Sequence, residues 1–243
     1  MKLSKSLFRF RWWILLVIFV LGFWAPFSRL GGTRPGSTWL WLSGTLSSYR
    51  ILPIADSIFM VMGIAILLVF LAALLRTWAA AYLGQDVVTD RALHGERIVA
   101  SGPNRYLRNP LYVGLWLHTV GLSILMPPDG ALFAVVTVAI LIAFLVHAEE
   151  RNLAAERGEG YAAYKKAVPR FLPAFLPRVA AGSEQPHWKH GFLAEIYMWG
   201  VVVTYVVFAS RYNVTLLEQG VLISLGISVI ARGIMKSPGP ETS

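Results

Sequence analysis

The sequence predicts an all-α, polytopic transmembrane helix bundle of about six spans, with both termini in the cytoplasm. Three observations carry this. Apolar residues make up 56% of the 243 positions and charged residues only 14%, against roughly 45–50% and about 25% in soluble domains. The apolar residues gather into runs that approach the ~20 residues a bilayer crossing needs. Basic residues flank those runs unequally, as orientation signals do.

The first run, Phe10 to Phe27, follows Lys2, Lys5, Arg9 and Arg11, as the apolar core of a signal peptide would. Trp12, Trp13, Phe19, Phe23 and Trp24 are bulky and no small-x-small site follows cleanly, so it reads as a retained helix. Ser37 to Ser48, with Trp39, Trp41 and Tyr49, reads as interfacial aromatics on the outer face. The second run, Pro53 to Ala81, is long enough to project beyond Arg76. Leu111 to Met126 and Ala131 to His147 are joined by a tight turn at Pro127-Pro128-Asp129-Gly130. Sixteen residues rise only ~24 Å, so this hairpin borrows residues at its ends or sits in a locally thin bilayer. Leu193 to Ser210 and Leu216 to Ala231 form a closing hairpin around Arg211-Tyr212-Asn213. The whole reads as one integral membrane domain over residues 1–243. It comprises N-terminal spans (1–75), a core (76–173) and a C-terminal hairpin (191–236).

With the N-terminus inside, Arg29, Arg34, Arg50 and Arg211 are the exceptions among 22 basic residues; the others lie on the cytoplasmic side. The net charge of +9 does not form a basic stripe with interleaved aromatics, so it implies anionic headgroups and no nucleic acid. The absence of cysteine excludes disulfides, thiolate metal sites and cysteine nucleophiles. Arg76, His118 and His147 are ionisable groups in or beside spans, and such groups are functional candidates by default. Two histidines without carboxylate or thiolate partners at ligand spacing do not make a metal site. No dinucleotide-binding glycine fingerprint, phosphate loop or nucleophile elbow occurs.

Two polar stretches carry unusual residues. In Ser101 to Gly114, Gly102-Pro103 marks a turn, and Asn109-Pro110 starts a helix with asparagine as cap and proline at the first position. Free backbone N–H groups at that start, beside Arg105 and Arg108, suit a carboxylate or phosphate. The same arginines also serve as ordinary topology anchors, and both readings stand. Glu149-Glu150 falls at the expected end of the fourth span, where the helix dipole is already negative. A compensating cation is therefore expected there, either Arg151 or the ammonium of a bound cofactor, unless solvent alone covers the helix end. Tyr161 and Tyr164 share a face that Lys165 and Lys166 avoid, as on a surface-lying amphipathic helix. Val168-Pro169-Arg170-Phe171-Leu172-Pro173 then forbids helix and returns the chain, extended, toward the membrane.

Gly102-Pro103-x-Arg105-Tyr106-x-Arg108-Asn109-Pro110-x-Tyr112-x-Gly114, then Glu149-Glu150, then Gly160-Tyr161-x-x-Tyr164 and Val168-Pro169-Arg170 resemble the isoprenylcysteine carboxyl methyltransferase and phospholipid methyltransferase superfamily. Arg76-Thr77-Trp78-Ala79 and Tyr82-Leu83-Gly84 extend the likeness upstream. The family pattern has histidine where this chain has Asn109, which caps and donates but cannot titrate. The resemblance implies an integral membrane enzyme moving a methyl group from S-adenosylmethionine to a lipid or lipidated acceptor, with its site at the cytoplasmic face of a bacterial inner membrane. It implies Arg105, Tyr106, Arg108, Asn109, Pro110, Tyr112, Gly114, Glu149 and Glu150 around the cofactor. Arg108 and Glu150 are the catalytic pair it implies, and Arg170 and Phe171 face the acceptor. The competing expectations are an NADPH-dependent reductase of sterol-reductase type and a non-enzymatic scaffold or transporter.

Overall fold

The computed structural model describes residues 2–24, 36–83 and 100–236. Arg29, Arg34, Gly84, Arg91, Arg97 and the end of the first apolar run at Phe27 lie outside the described residues. Among those described, eight α-helices and no strands occur: α1 (Lys2–Trp24), α2 (Thr38–Ser48), α3 (Ile54–Ala81), α4 (Pro110–Ser123), α5 (Pro128–Ala167), α6 (Trp188–Ala194), α7 (Ile196–Arg211) and α8 (Val214–Lys236). Helices α3, α5 and α8 are long and apolar enough to cross a membrane, and a fourth crossing results if α6 and α7, bent by 64°, count as one. Helix α4, with 14 residues, rises only ~21 Å.

The chain divides into two compact units, residues 1–72 with 112–158 and residues 73–111 with 159–243. In the first, α1 contributes Phe8, Leu15 and Ile18 to a core completed by Met126, Ala131, Ala134, Val138, Leu141, Ile142, Leu145 and Val146. The α5 positions recur every three or four residues, which places them on one helical stripe. Helix α3 meets α4 closely at Gly121, where a side chain would run into Val69 and the Ala65 carbonyl.

Ser37 caps α2, accepting from the Leu40 N–H at 3.4 Å. Trp39, however, does not face outward. It is buried, and its indole N–H donates to the Ile58 carbonyl at 3.0 Å. A tryptophan N–H usually finds such a partner when buried. Trp41 and Tyr49 remain exposed.

A second correction concerns Glu149 and Glu150. The α5 helix does not end at His147 but continues to a break at Gly158, whose φ of 52° and ψ of −128° only glycine adopts readily. The two glutamates therefore sit inside a helix, two turns before its break, and the helix-end dipole argument does not apply to them. Asn152 to Arg157 is rich in Ala, Leu, Glu and Arg, good helix formers, so the helix outlasts the apolar run.

In the second unit, α7 and α8 form the closing hairpin. Tyr212 ends α7 in the left-handed region, with φ 49° and ψ 34°. A side chain at Gly200 would strike Ser224, and one at Gly220 would strike Thr204. Small residues at reciprocal positions bring the two backbones together, as in membrane helix pairs.

Candidate functional site

The second unit holds the first motif as far as Leu111. Gly102, at φ +54°, turns the chain into a one-turn 3₁₀ helix, Gly102–Arg105, and a Cβ there would collide with the Tyr82 ring. Tyr106 and Leu107 close the turn with N–H bonds to the Pro103 carbonyl. Helix α4 then begins at Pro110, as the Asn-Pro pair predicts.

This segment is laced to the extended return of the chain. The Arg108 N–H donates to the Pro169 carbonyl at 2.9 Å, the Ala174 N–H to Tyr106 at 3.0 Å, and the Arg178 N–H to Arg105 at 2.8 Å. Further on, the Gly182 N–H donates to Ala100 and the His187 N–H to Ala81 at the end of α3. Residues 100–109 and 169–182 thus run antiparallel without forming a regular ladder. Pro169, Pro173 and Pro177 lack the N–H groups that a ladder would need.

Side chains reinforce the lacing, and this assigns work to two of the expected cofactor residues. The Arg105 Nε donates to the Val179 carbonyl at 3.0 Å. The buried Asn109 amide donates to the Arg170 carbonyl at 3.3 Å. Both bonds hold the site's frame. The Tyr106 ring lies 5.8 Å from that of Trp78. Tyr164, half-buried, gives its hydroxyl proton to the Asn104 carbonyl at 2.8 Å, while Tyr161 is buried beside it and Lys165 and Lys166 are exposed. The predicted division of aromatic and basic faces is therefore present. The structure brings Arg105, Tyr106, Arg108, Asn109 and Arg170 together in one laced segment.

Asn104 is a residue the motif reading passed over. Its side chain is 4% exposed, and its amide nitrogen has no hydrogen-bond partner among the described residues. A buried amide donor without a partner costs about 1–3 kcal/mol, so an acceptor there would be favoured. The sequence signal was only its place between Pro103 and Arg105.

Glu195 was missed as well. The Arg76 Nε and Nη2 each donate to a Glu195 carboxylate oxygen at 2.7 Å, and Nη1 donates to the Leu111 carbonyl at 2.9 Å. A lone acid at the mouth of an apolar run, in a chain with an equally lone arginine ending another, is a signal that would have found it. Trp199 adds a bond from its indole N–H to Thr77 Oγ1 at 2.9 Å.

In the first unit, Tyr112 and Ala148 pack against the same core, beside Leu145 and Val146. Glu149 and Glu150 lie one helical turn beyond those two residues, with Glu150 only 3% exposed. Gly114 lies in α4 and is buried, as is His118 one turn further on. Among the described residues, no cluster of three His, Asp or Glu is arranged to hold a metal ion.

These features describe a helical membrane protein in which residues 100–109 are laced to residues 169–182. Residues 60–157 match the family model described as phospholipid methyltransferase. A protein of Crocosphaera subtropica named methanethiol S-methyltransferase is 39% identical over 70 residues, covering 28% of this chain and 26% of the relative. The match thus spans about a quarter of that relative's length. No solved structure matches. Residues 60–157 of this chain are thus similar in sequence to phospholipid methyltransferases.

Proposed function

We propose that the protein is a membrane methyltransferase that takes a methyl group from S-adenosylmethionine and gives it to a lipid-soluble acceptor. The observation that carries this reading is the laced motif. Arg108 stands just before α4, four residues after Asn104, whose buried amide nitrogen has no partner among the described residues, in a segment whose sequence matches a methyltransferase family.

The residues present fit the cofactor's chemistry. A carboxylate is suited by the Arg108 guanidinium, the Asn104 amide and the free N–H groups at a helix start. An ammonium or ribose hydroxyl is suited by the carboxylates of Glu149 and Glu150. Pro110, Tyr112 and Gly114 shape the first turns of α4, Arg105 and Asn109 hold the frame, and Tyr106 offers an aromatic face. When bound, the cofactor supplies an activated methyl on a sulfonium. The protein then needs no nucleophile of its own, which suits a chain without cysteine. Its residues have to orient the acceptor's lone pair in line and exclude water. In this reading Arg108 and Glu150 are the catalytic pair, and Glu150 takes the proton that an amine or thiol acceptor gives up.

The acceptor reaches the site sideways from the bilayer, against Arg170 and Phe171, while the cofactor enters from the cytoplasm. A charged cofactor does not cross ~30 Å of hydrocarbon cheaply. A phospholipid amine and a prenylcysteine carboxylate are acceptors of the kind the family implies. A small apolar thiol is a second reading, favoured by the name of the Crocosphaera relative.

Binding in detergent tests the cofactor assignment. S-adenosylmethionine and S-adenosylhomocysteine should raise the unfolding temperature, and NADPH should not. Arg108→Ala and Glu150→Ala should weaken S-adenosylhomocysteine at least tenfold, and Lys166→Ala should not. Stabilisation by NADPH alone would favour the reductase; equal, small effects at all three positions would return these residues to topology anchors. Because the chain has no cysteine, Tyr49→Cys and Lys166→Cys can be labelled singly, and a membrane-impermeant thiol reagent should reach them from the outer and cytoplasmic sides respectively.

A further inference from the structure

The return strap between α5 and α6 carries an apolar cluster that the methyl-transfer reading leaves without a role beyond Phe171. Leu172 is 81% exposed, Phe175 102% and Leu176 73%, whereas Phe171, nearest the laced motif, is 36% exposed. These residues are on a non-helical segment, so no helix face explains their exposure. Three large apolar side chains set open to water within five residues would be costly, and such a patch marks an interaction surface.

The strap's position says what covers it. Its start is fastened to the first residues of α4 through the Arg108 N–H to Pro169 and the Asn109 amide to Arg170. Its far end is fastened to Ala81, the last residue of the spanning helix α3, by the His187 N–H at 2.7 Å. Both tethers are helix ends, one of them the end of a long apolar span, so the strap lies where the chain leaves the hydrocarbon. The backbone bonds from Ala174 and Arg178 to Tyr106 and Arg105 hold it in place. Pro169, Pro173 and Pro177 prevent it from coiling into a helix that would hide its apolar side.

Its charge is one-sided. From Lys165 to Arg178 the chain carries Lys165, Lys166, Arg170 and Arg178 and no acidic residue. Apolar side chains between cations match the layered chemistry of an anionic bilayer surface, with acyl chains beneath phosphate. A soluble protein partner would have to supply both layers.

We infer that residues 170–178 are a lipid anchor: Leu172, Phe175 and Leu176 insert into the headgroup and upper acyl region, and Arg178 contacts anionic headgroups. This stands on the strap's exposure, tethering and charge alone, and does not depend on methyl transfer.

The cysteine-free chain permits a direct test. Leu172→Cys, Phe175→Cys and Leu176→Cys are made singly, spin-labelled and reconstituted as full-length protein in vesicles of mixed zwitterionic and anionic phospholipid. Accessibility to oxygen is compared with accessibility to a water-soluble nickel complex. Val229→Cys, exposed on α8, and Lys166→Cys, exposed beyond the Gly158 break, give the lipid and water references. The side chains replaced are exposed, so folding is preserved, and matched circular dichroism confirms it. The oxygen-to-nickel ratio at all three positions should shift from the Lys166 value toward the Val229 value. Ratios equal to that at Lys166 would place the strap in water and overturn the inference. Protection from both reagents with spin–spin broadening would mean that a second copy covers the patch, and would overturn it equally.

Discussion

Arg76 and Glu195, 119 positions apart in sequence, meet in a two-pronged ion pair with both N–O distances at 2.7 Å. The side chains are 12% and 4% exposed. The third arginine donor holds the Leu111 carbonyl, in the first turn of the helix that Asn109 and Pro110 begin. The pair therefore ties the end of α3 and the start of α7 to the start of α4.

Breaking one side of such a pair leaves an uncompensated buried charge, at a cost of about 3–5 kcal/mol. Glu195→Ala and Arg76→Ala should each destabilise the protein by that amount, read as a large drop in unfolding temperature in detergent. The double variant Arg76→Met/Glu195→Leu should recover most of it, because apolar replacement of both partners leaves no stranded charge. A double variant as unstable as the singles would contradict this.

The closing hairpin makes a separate prediction. Gly200→Leu or Gly220→Leu would force apart α7 and α8 at Ser224 or Thr204, an overpacking cost of about 1–3 kcal/mol. Gly226→Leu, on the same helix as Gly220 but with nothing within 4 Å of a new Cβ, should be neutral. Equal losses at Gly220 and Gly226 would show that helix character, not close approach, is what the glycines serve.

Asn109 is expected to act through the Arg170 carbonyl. Asn109→Leu removes the donor to this half-buried carbonyl, costing about 1 kcal/mol. Asn109→His, which supplies the residue of the family pattern, keeps an N–H and should lose less. Hydrogen exchange at residues 169–178 should quicken in the leucine variant and stay slow in the histidine variant. If exchange were unchanged in both, the strap would not depend on this bond.

Much of this was legible in the residues themselves. Asn109-Pro110 announces the start of α4, and Val168-Pro169 the end of α5, because proline restricts both itself and its predecessor. Hydropathy was less informative where the chain stays helical without staying apolar. It placed the end of the fourth span at His147, whereas good helix formers carry α5 to Gly158. Long-range partners were the least legible. Neither Trp39's bond to Ile58 nor the Glu195 partner of Arg76 has a local pattern. Nor does local pattern reveal that Arg105 and Asn109 donate to backbone carbonyls more than sixty positions away.

The most direct test of the account is methyl transfer itself. The purified protein, reconstituted in vesicles of host lipid, is given S-adenosylmethionine labelled in its methyl group, and in parallel reactions a small apolar thiol or a prenylcysteine. Label should pass into an organic-soluble product, in step with the S-adenosylhomocysteine formed, and Arg108→Ala should abolish both. If wild-type protein shown to bind S-adenosylmethionine left the label in the water-soluble cofactor with every acceptor, at the level of Arg108→Ala, the central claim would be contradicted.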